Sequence, residues 1–264
     1  MIHCSLHGTF VTLVTPLYRG SFDALSMRRL IESLEPNVDG FIPCASTGEG
    51  DALSDVEWEE VIRAVTMMTS KPVIAGIKSR DVDQIKKRAA IAKDCGCCAL
   101  LLPIPASCTE EILRYFQKVC ECASLPIVLY NTETDSVDVQ TVVTLQQLPH
   151  IIGLKDSSMD LNFFKALIQL KQKGEMRFLL FQGMEQFLTT SSGCDGSMTA
   201  LANIHPALCK QAIENPDHDT TKRVREAFWT CNLGGRWYAS IKAILFSQGI
   251  LRSAEELHPD ITPE

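Results

Sequence analysis

Apolar runs of four to seven residues alternate along this chain with longer stretches whose apolar positions recur at helical spacing. The first run, Thr9-Phe10-Val11-Thr12-Leu13-Val14, predicts a strand ended by Thr15-Pro16. A helix-period segment over Asp23–Glu35 follows and is stopped by Pro36-Asn37. Gly40–Cys44 predicts a second short strand. Ser54, with Glu57 three residues on, forms a capping box for a helix that runs through Met68. The alternation then repeats. Strands are predicted at Pro72–Ile77, Ala99–Pro103, Pro126–Tyr130, Ile151–Lys155, Arg177–Phe181 and Gly196–Ala200. Helices fall between them at Val82–Cys95, Thr109–Ala123, Val139–Leu148 and Leu161–Lys173, with a short one at Glu185–Ser192.

Eight strands with helices between them predict an α/β protein. The strands are continuous apolar runs, the mark of parallel strands buried on both faces. A doubly wound open sheet produces the same local pattern, but eight regular units favour the closed (β/α)8 TIM barrel. Strand signals stop at Asp217. Two helix-like segments, about Thr220–Cys231 and Trp237–Gln248, predict a short C-terminal helical appendage. The expected organisation is a barrel catalytic domain over 1–216 and a helical extension over 217–264. The tail after Leu257, with Pro259 and Pro263, is expected to be loosely ordered.

Composition narrows the function classes. The 264 residues are 45% hydrophobic and 22% charged with a formal charge of -7, the profile of an ordinary soluble globular protein. An acidic chain with no basic run makes a poor nucleic-acid binder, because phosphate neutralisation needs clustered Lys and Arg. No apolar stretch reaches 18 residues, so no membrane span is expected. Met1–Gly8 lacks a basic segment leading into an apolar core, and a cytoplasmic location is the expectation. The 11 cysteines then read as reduced thiols. Cys95-Gly96-Cys97-Cys98 and Cys120-Glu121-Cys122 lack the spacing of paired metal knuckles, and they read as small buried hydrophobes. No metal and no cofactor is expected.

In a barrel of this kind chemistry sits at the C-terminal ends of the strands. The polar residues placed there are Thr15, Ser46-Thr47-Gly48-Glu49, Lys78, Tyr130-Asn131, Lys155-Asp156 and Thr199. Lys155 ends an apolar strand, so its stem is buried and its amine lies at the barrel mouth. Desolvation disfavours an ammonium and frees the amine to attack a carbonyl. The bland alternative is a lysine that snorkels to solvent. Tyr130 ends the preceding strand, where a phenol can move protons for the lysine, or simply pack as a core aromatic. Ser46, Thr47 and Gly48 offer hydroxyls and backbone N–H groups suited to a carboxylate, or form a plain turn.

Together these segments resemble the dihydrodipicolinate synthase / N-acetylneuraminate lyase family of class I aldolases. The resemblance runs from Gly8 to about Gly249. It rests on Thr15-Pro16 with Gly20-Ser21-Phe22-Asp23, on Ser46-Thr47-Gly48-Glu49, on Tyr130-Asn131 and on Gly153-Leu154-Lys155-Asp156-Ser157. Gly183-Met184-Glu185, Gly193-Cys194-Asp195-Gly196-Ser197-Met198 and Ala202-Asn203-Ile204-His205-Pro206 add to it. The resemblance implies a Schiff-base lysine at Lys155 and a proton-transfer tyrosine at Tyr130. It also implies pyruvate binding by Ser46, Thr47 and Gly48, with Met198 at the substrate. Lys78 has no counterpart among the family's catalytic residues and reads as peripheral.

The departures concern the second substrate. After the fourth strand, where the family's synthases carry an aromatic pair, this chain reads Pro103-Ile104-Pro105. Pro105 stands where a relay tyrosine is lent by a neighbouring subunit. Where the synthases have a proline and then an arginine for the aldehyde's carboxylate, this chain has Glu133 and Asp135. Tyr18 is a candidate substitute proton carrier, and Arg80 a candidate substitute cation. The segment between Tyr130 and Lys155 is shorter than in the family, and the C-terminal appendage is trimmed. The expected function is a pyruvate-dependent class I aldolase or lyase that joins or splits a carbon–carbon bond with an unassigned aldehyde. The alternatives are 4-hydroxy-tetrahydrodipicolinate synthase and a non-catalytic relative that binds a 2-oxo acid. The expected partners are small-molecule substrates and copies of the same chain, as a dimer or tetramer.

Overall fold

The computed structural model describes residues 6–257. Its elements in chain order are β1 (Gly8–Thr12), β2 (Leu17–Tyr18), β3 (Ser21–Phe22), α1 (Ala24–Leu34), β4 (Gly40–Ile42), α2 (Asp55–Met68), β5 (Ile74–Gly76), α3 (Val82–Asp94), β6 (Ala99–Pro103) and α4 (Thr109–Cys122). There follow β7 (Ile127–Thr132), α5 (Val139–Leu145), β8 (Ile151–Ser157), α6 (Leu161–Gln172), β9 (Leu179–Gln182), β10 (Gly196–Thr199), α7 (Pro206–Glu214), α8 (His218–Thr230) and α9 (Trp237–Ser247). Eight strands form one sheet in the order β4-β1-β10-β9-β8-β7-β6-β5, every pair parallel. An isolated parallel bridge from Phe41 to Val73 joins the two ends of that order, so the sheet is a (β/α)8 barrel.

Six of the nine α-helices among the described residues begin where a short polar side chain takes free N–H groups of the first turn. Asp23 accepts from Leu25 and Ser26, Asp160 from Asn162 and Phe163, and Ser54 and Glu57 cap each other's backbone reciprocally. The strands bury both faces, as the continuous apolar runs require. Phe10, Ile42, Ile74, Leu101, Val128, Phe181 and Met198 fill the barrel interior. Val11, Phe41, Leu100, Leu129, Leu154 and Leu180 point outward into a second apolar layer shared with the helices. This alternation sets the parity of the strand ends. Tyr130 follows the inward Val128 by two positions and pairs directly with Lys155, so both side chains are carried on the inner face.

Several boundaries differ from the sequence reading. β1 ends at Thr12 rather than Val14, because the Val14 N–H turns away to the Asn203 side chain. β8 runs on to Ser157, since Asp156 and Ser157 still pair with Asn131 and Thr132. The segment after β9 is a 3-10 helix over Glu185–Thr190. The β2–β3 hairpin and the helix α7 had no separate signal assigned to them. At the barrel seam β1 lies against β10 with Gly8 opposite Gly196. A Cβ on Gly196 would fall 1.9 Å from the Gly8 carbonyl oxygen, so this close approach admits only glycine. The predicted looseness after Leu257 lies outside the described residues, as does most of Met1–Gly8.

Five of the ten cysteines among the described residues, Cys44, Cys97, Cys120, Cys209 and Cys231, are buried. Burial pushes the Cys97 thiol up to about 12, the behaviour of a packing residue rather than a reactive thiolate.

Candidate active site

A cavity of about 1010 Å³ opens at the C-terminal ends of the strands. It is lined by Ser46, Thr47, Tyr130, Lys155 and Met198, five of the six residues singled out as site candidates. Gly48, the sixth, is not on the cavity wall. It lies beneath the turn, its carbonyl accepting a 2.7 Å hydrogen bond from the Thr15 hydroxyl, and a Cβ there would meet the Leu13 carbonyl at 2.8 Å. Its contribution is to let the turn pack down on β1.

Lys155 is 5% exposed and its nitrogen sits 4.1 Å from the centroid of the Tyr130 ring. The aromatic face partners the cation where water is scarce. Burial alone would raise the phenol's pKa. The charge of Lys155, the nearby hydroxyls of Ser157 and Ser46 and the charge of Lys78 outweigh it, and Tyr130 lies below its ordinary value. Lys155 passes Gly183 closely. A Cβ on Gly183 would come within 2.9 Å of the lysine Cε, 2.1 Å of Ser157 Oγ and 2.7 Å of the Asp156 carbonyl. The glycine of Gly183-Met184-Glu185 therefore clears the channel through which the lysine reaches the cavity.

The turn over Ser46–Gly48 is a 3-10 helix followed by Glu49 in the left-handed region, at φ 54°. Thr47 hydrogen-bonds Thr12 across the barrel mouth at 3.0 Å and accepts from the Trp237 indole at 3.3 Å. Behind the turn, Glu49 forms a buried ion pair with Lys242 of α9 and accepts the Leu257 N–H at 2.7 Å. The C-terminal segment thus grips the turn from outside, and its residues Phe228, Leu233, Arg236 and Trp237 complete one wall of the cavity. That wall, 190 positions from Thr47, was not anticipated from sequence.

Glu185 is a further cavity residue that sequence reasoning cited only as part of a motif. Its carboxylate accepts from the backbone N–H groups of Ala200 (2.9 Å) and Leu201 (3.1 Å). Burial pushes its pKa above the usual carboxylate range, opposed by those hydrogen bonds and by the charge of Lys155. Asn131 and Asp156, by contrast, bond to each other at 2.8 Å off the cavity wall, and Asn131 accepts the Val137 N–H. They tie the β7 loop to β8. Burial raises the Asp156 pKa against those bonds.

Three expectations are corrected. Lys78 is not peripheral: it lines the cavity, 3.6 Å from Asp51, because β5 ends two residues earlier and aims it inward. Asp135 is not an unopposed negative charge, since Arg80 reaches across from the β5 loop to bond it at 2.6 Å. Tyr18 is no proton carrier for this site. It is absent from the cavity lining, and its ring meets the guanidinium groups of Arg19 at 5.2 Å and Arg252 at 4.3 Å.

Residues 5–230 match the family described as the dihydrodipicolinate synthetase family. The 4-hydroxy-tetrahydrodipicolinate synthase of Anaeromyxobacter sp. (strain K) is 30% identical over 217 residues, covering 79% of this chain and 74% of that protein. Dihydrodipicolinate synthase from Bacteroides thetaiotaomicron superposes with a TM-score of 0.88 at 24% identity, covering 100% of this chain and 95% of that one. The chloride-inhibited dihydrodipicolinate synthase from Acinetobacter baumannii, solved with pyruvate, gives 0.85 at 26% identity, covering 96% and 92%.

Proposed function

The chain belongs to the dihydrodipicolinate synthetase family of pyruvate-dependent class I aldolases, and we propose that Lys155 is its Schiff-base lysine. In this reading the Lys155 amine attacks the keto carbon of pyruvate to give a carbinolamine. Tyr130 donates the proton with which the hydroxyl leaves as water, and the resulting iminium acts as an electron sink. Loss of a methyl proton gives an enamine that adds to an aldehyde, and the reverse sequence splits the product. Ser46 and Thr47 head the turn, so their N–H groups have no partner within it and suit the pyruvate carboxylate.

The observation that carries this reading is the placement of Lys155. It is a buried lysine against the Tyr130 ring, inside the cavity at the strand ends. That a structural relative was solved with pyruvate supports the choice of 2-oxo acid. The test is borohydride reduction in the presence of pyruvate, followed by peptide mapping. An adduct on Lys155 is expected. No adduct, or an adduct on Lys78, overturns the assignment. The same reading has the protein acting in the cytoplasm as a homo-oligomer, a dimer or tetramer, which light scattering checks. No helix among the described residues is long and apolar enough to cross a membrane.

The Arg80–Asp135 pair favours a second reading, 4-hydroxy-tetrahydrodipicolinate synthase, because it brings a cation to the position where the sequence alone offers only carboxylates. Against it stands Pro105, which has no proton to give. A coupled assay with pyruvate and aspartate semialdehyde separates the two. A kcat/KM of about 10⁴ M⁻¹s⁻¹ or more, ordinary for an enzyme on its own substrate, would establish the synthase.

A further inference from the structure

Among the described residues four cations line the cavity, and three of them are already engaged. Lys155 lies on the Tyr130 ring, Arg80 bonds Asp135 at 2.6 Å, and Arg236 donates to Glu256. Lys78 is the fourth. Its nearest carboxylate is Asp51 at 3.6 Å, beyond hydrogen-bonding reach. The lysine side chain is 32% exposed and that of Asp51 56%, so the amine is the better sheltered of the two. Strand parity puts it there. Ile74 packs inside the barrel, Ala75 and Ile77 pack outside it, and Lys78 therefore turns inward. The ladder fixes its height. Gly76 pairs with Leu101, and the Ile77 N–H still bonds the Leu101 carbonyl at 3.0 Å. Two residues on, Pro103 pairs with Tyr130, which pairs with Lys155. Lys78, two residues past Gly76, stands in that same tier, three strand steps or about 14 Å around the wall from Lys155.

We propose that Lys78 binds the anionic end of the second substrate, so that the acceptor is an aldehyde carrying a carboxylate. The inference rests on the imine chemistry proposed above, which fixes the reacting carbon at Lys155. An ammonium is a compact charge with three donors, and here none of them is closed onto a carboxylate. Pro103, between Lys78 and Tyr130 in the tier, has no N–H and no polar side chain to compete for the same group. Glu133 lines the cavity from the β7 loop and repels an anion, which orients the chain of the acceptor toward β5. Asp51 competes for the ammonium, but an exposed pair at that distance contributes little, and a substrate carboxylate can take its place. The bland alternative is a lysine that only ties the loops after β4 and β5 together through Asp51. It makes the opposite prediction for Asp51.

The test compares two acceptors of equal length, succinate semialdehyde and butyraldehyde, each offered with pyruvate. Wild type should favour the semialdehyde in kcat/KM. Lys78→Met should lower that preference about 10- to 100-fold, the effect of losing a hydrogen bond between charged groups, and Lys78→Arg should retain most of it. Asp51→Asn should act in the other direction, lowering KM for the semialdehyde about two- to fivefold by removing a competitor for the ammonium. A wild type without the preference, an equal loss on both aldehydes, or parallel effects of Lys78→Met and Asp51→Asn overturns the proposal. So does a preference lost in Arg80→Gln and kept in Lys78→Met, which moves the carboxylate to Arg80. Should neither aldehyde turn over, calorimetry decides. Succinate semialdehyde is titrated into protein already reduced with pyruvate and borohydride, where no addition follows. Binding that Lys78→Met weakens by the same factor supports the site, and no binding overturns it. A wild type that traps no pyruvate overturns the imine reading instead, and the same titration on untreated protein then decides the role of Lys78 separately. A trapped adduct on Lys78 overturns both.

Discussion

Tyr130 and Lys155 stand opposite one another in the β7–β8 ladder, and the lysine nitrogen lies 4.1 Å from the centre of the phenol ring. The ring therefore does two separable things: it packs the lysine stem with its face, and it offers a proton at its edge. Tyr130→Phe keeps the first and removes the second. Imine formation should slow by about 10²–10⁴-fold, the usual contribution of a general acid–base group, with the circular dichroism spectrum and melting temperature unchanged. Rapid-quench borohydride trapping reads the rate. An unaltered rate would reduce Tyr130 to a packing residue.

Gly183→Ala should damage the site through the lysine channel. Its methyl would have to displace the Asp156 carbonyl as well as Ser157 Oγ and Lys155 Cε, and a strand carbonyl does not yield cheaply. Overpacking of this kind costs about 1–3 kcal/mol. Urea denaturation should show that loss together with a fall in trapping rate. Full activity at wild-type stability would mean that the β9 loop relaxes away from β8.

The pair Glu49–Lys242 is buried on both sides, with Lys242 fully inaccessible. Lys242→Ala would leave the Glu49 carboxylate without its cation, and breaking a buried pair from one side costs about 3–5 kcal/mol. The double variant Glu49→Gln with Lys242→Met should recover most of the stability. Because Glu49 directly follows the Ser46–Gly48 turn, the single variant should also raise KM for pyruvate. Equal unfolding midpoints for wild type and Lys242→Ala would refute the account.

Asp23 caps α1 and accepts two hydrogen bonds from Arg252. Burial works against its ionised form, but the Arg252 and Ser26 hydrogen bonds prevail and hold its pKa at about 2, below its ordinary value of 3.8. A carboxyl depressed on folding stabilises above its unfolded value and loses that contribution as pH falls through its folded value. Asp23→Asn should therefore be less stable than wild type by about 2 kcal/mol at neutral pH. The gap should close between about pH 4 and pH 2. Unfolding midpoints measured across that range check it, and a gap independent of pH would show that the charge is not what matters.

The strands and their parity were legible because hydrophobic periodicity is a local property. An apolar run ending in Lys155 places that lysine at a strand end whatever the rest of the chain does. Tyr130 and the Ser46-Thr47 turn were found in the same way. What periodicity cannot report is which side chains meet across the mouth. Arg80 and Asp135 are 55 positions apart, and Asp135 alone reads as a repulsive charge. Trp237 and Thr47 are 190 apart, so nothing local in the sequence told that the C-terminal helical appendage also forms a wall of the cavity. Lys78 was set aside for lack of a family counterpart, although its position just past an apolar strand was the same signal that selected Lys155.

The seam between β1 and β10 has a consequence in time rather than in space. Gly8 and Gly196 face each other across it, 188 positions apart (196 minus 8). A ribosome adding roughly 5–20 residues per second needs about 10–40 s to cover that distance. Throughout the interval β1 can pair with β4 on one side only, and its other edge presents unpaired N–H and C=O groups. The ring closes when Gly196 emerges, not when the apolar content of the chain is complete. The interval in which a nascent-chain chaperone has an edge to shield is therefore fixed by the placement of one glycine.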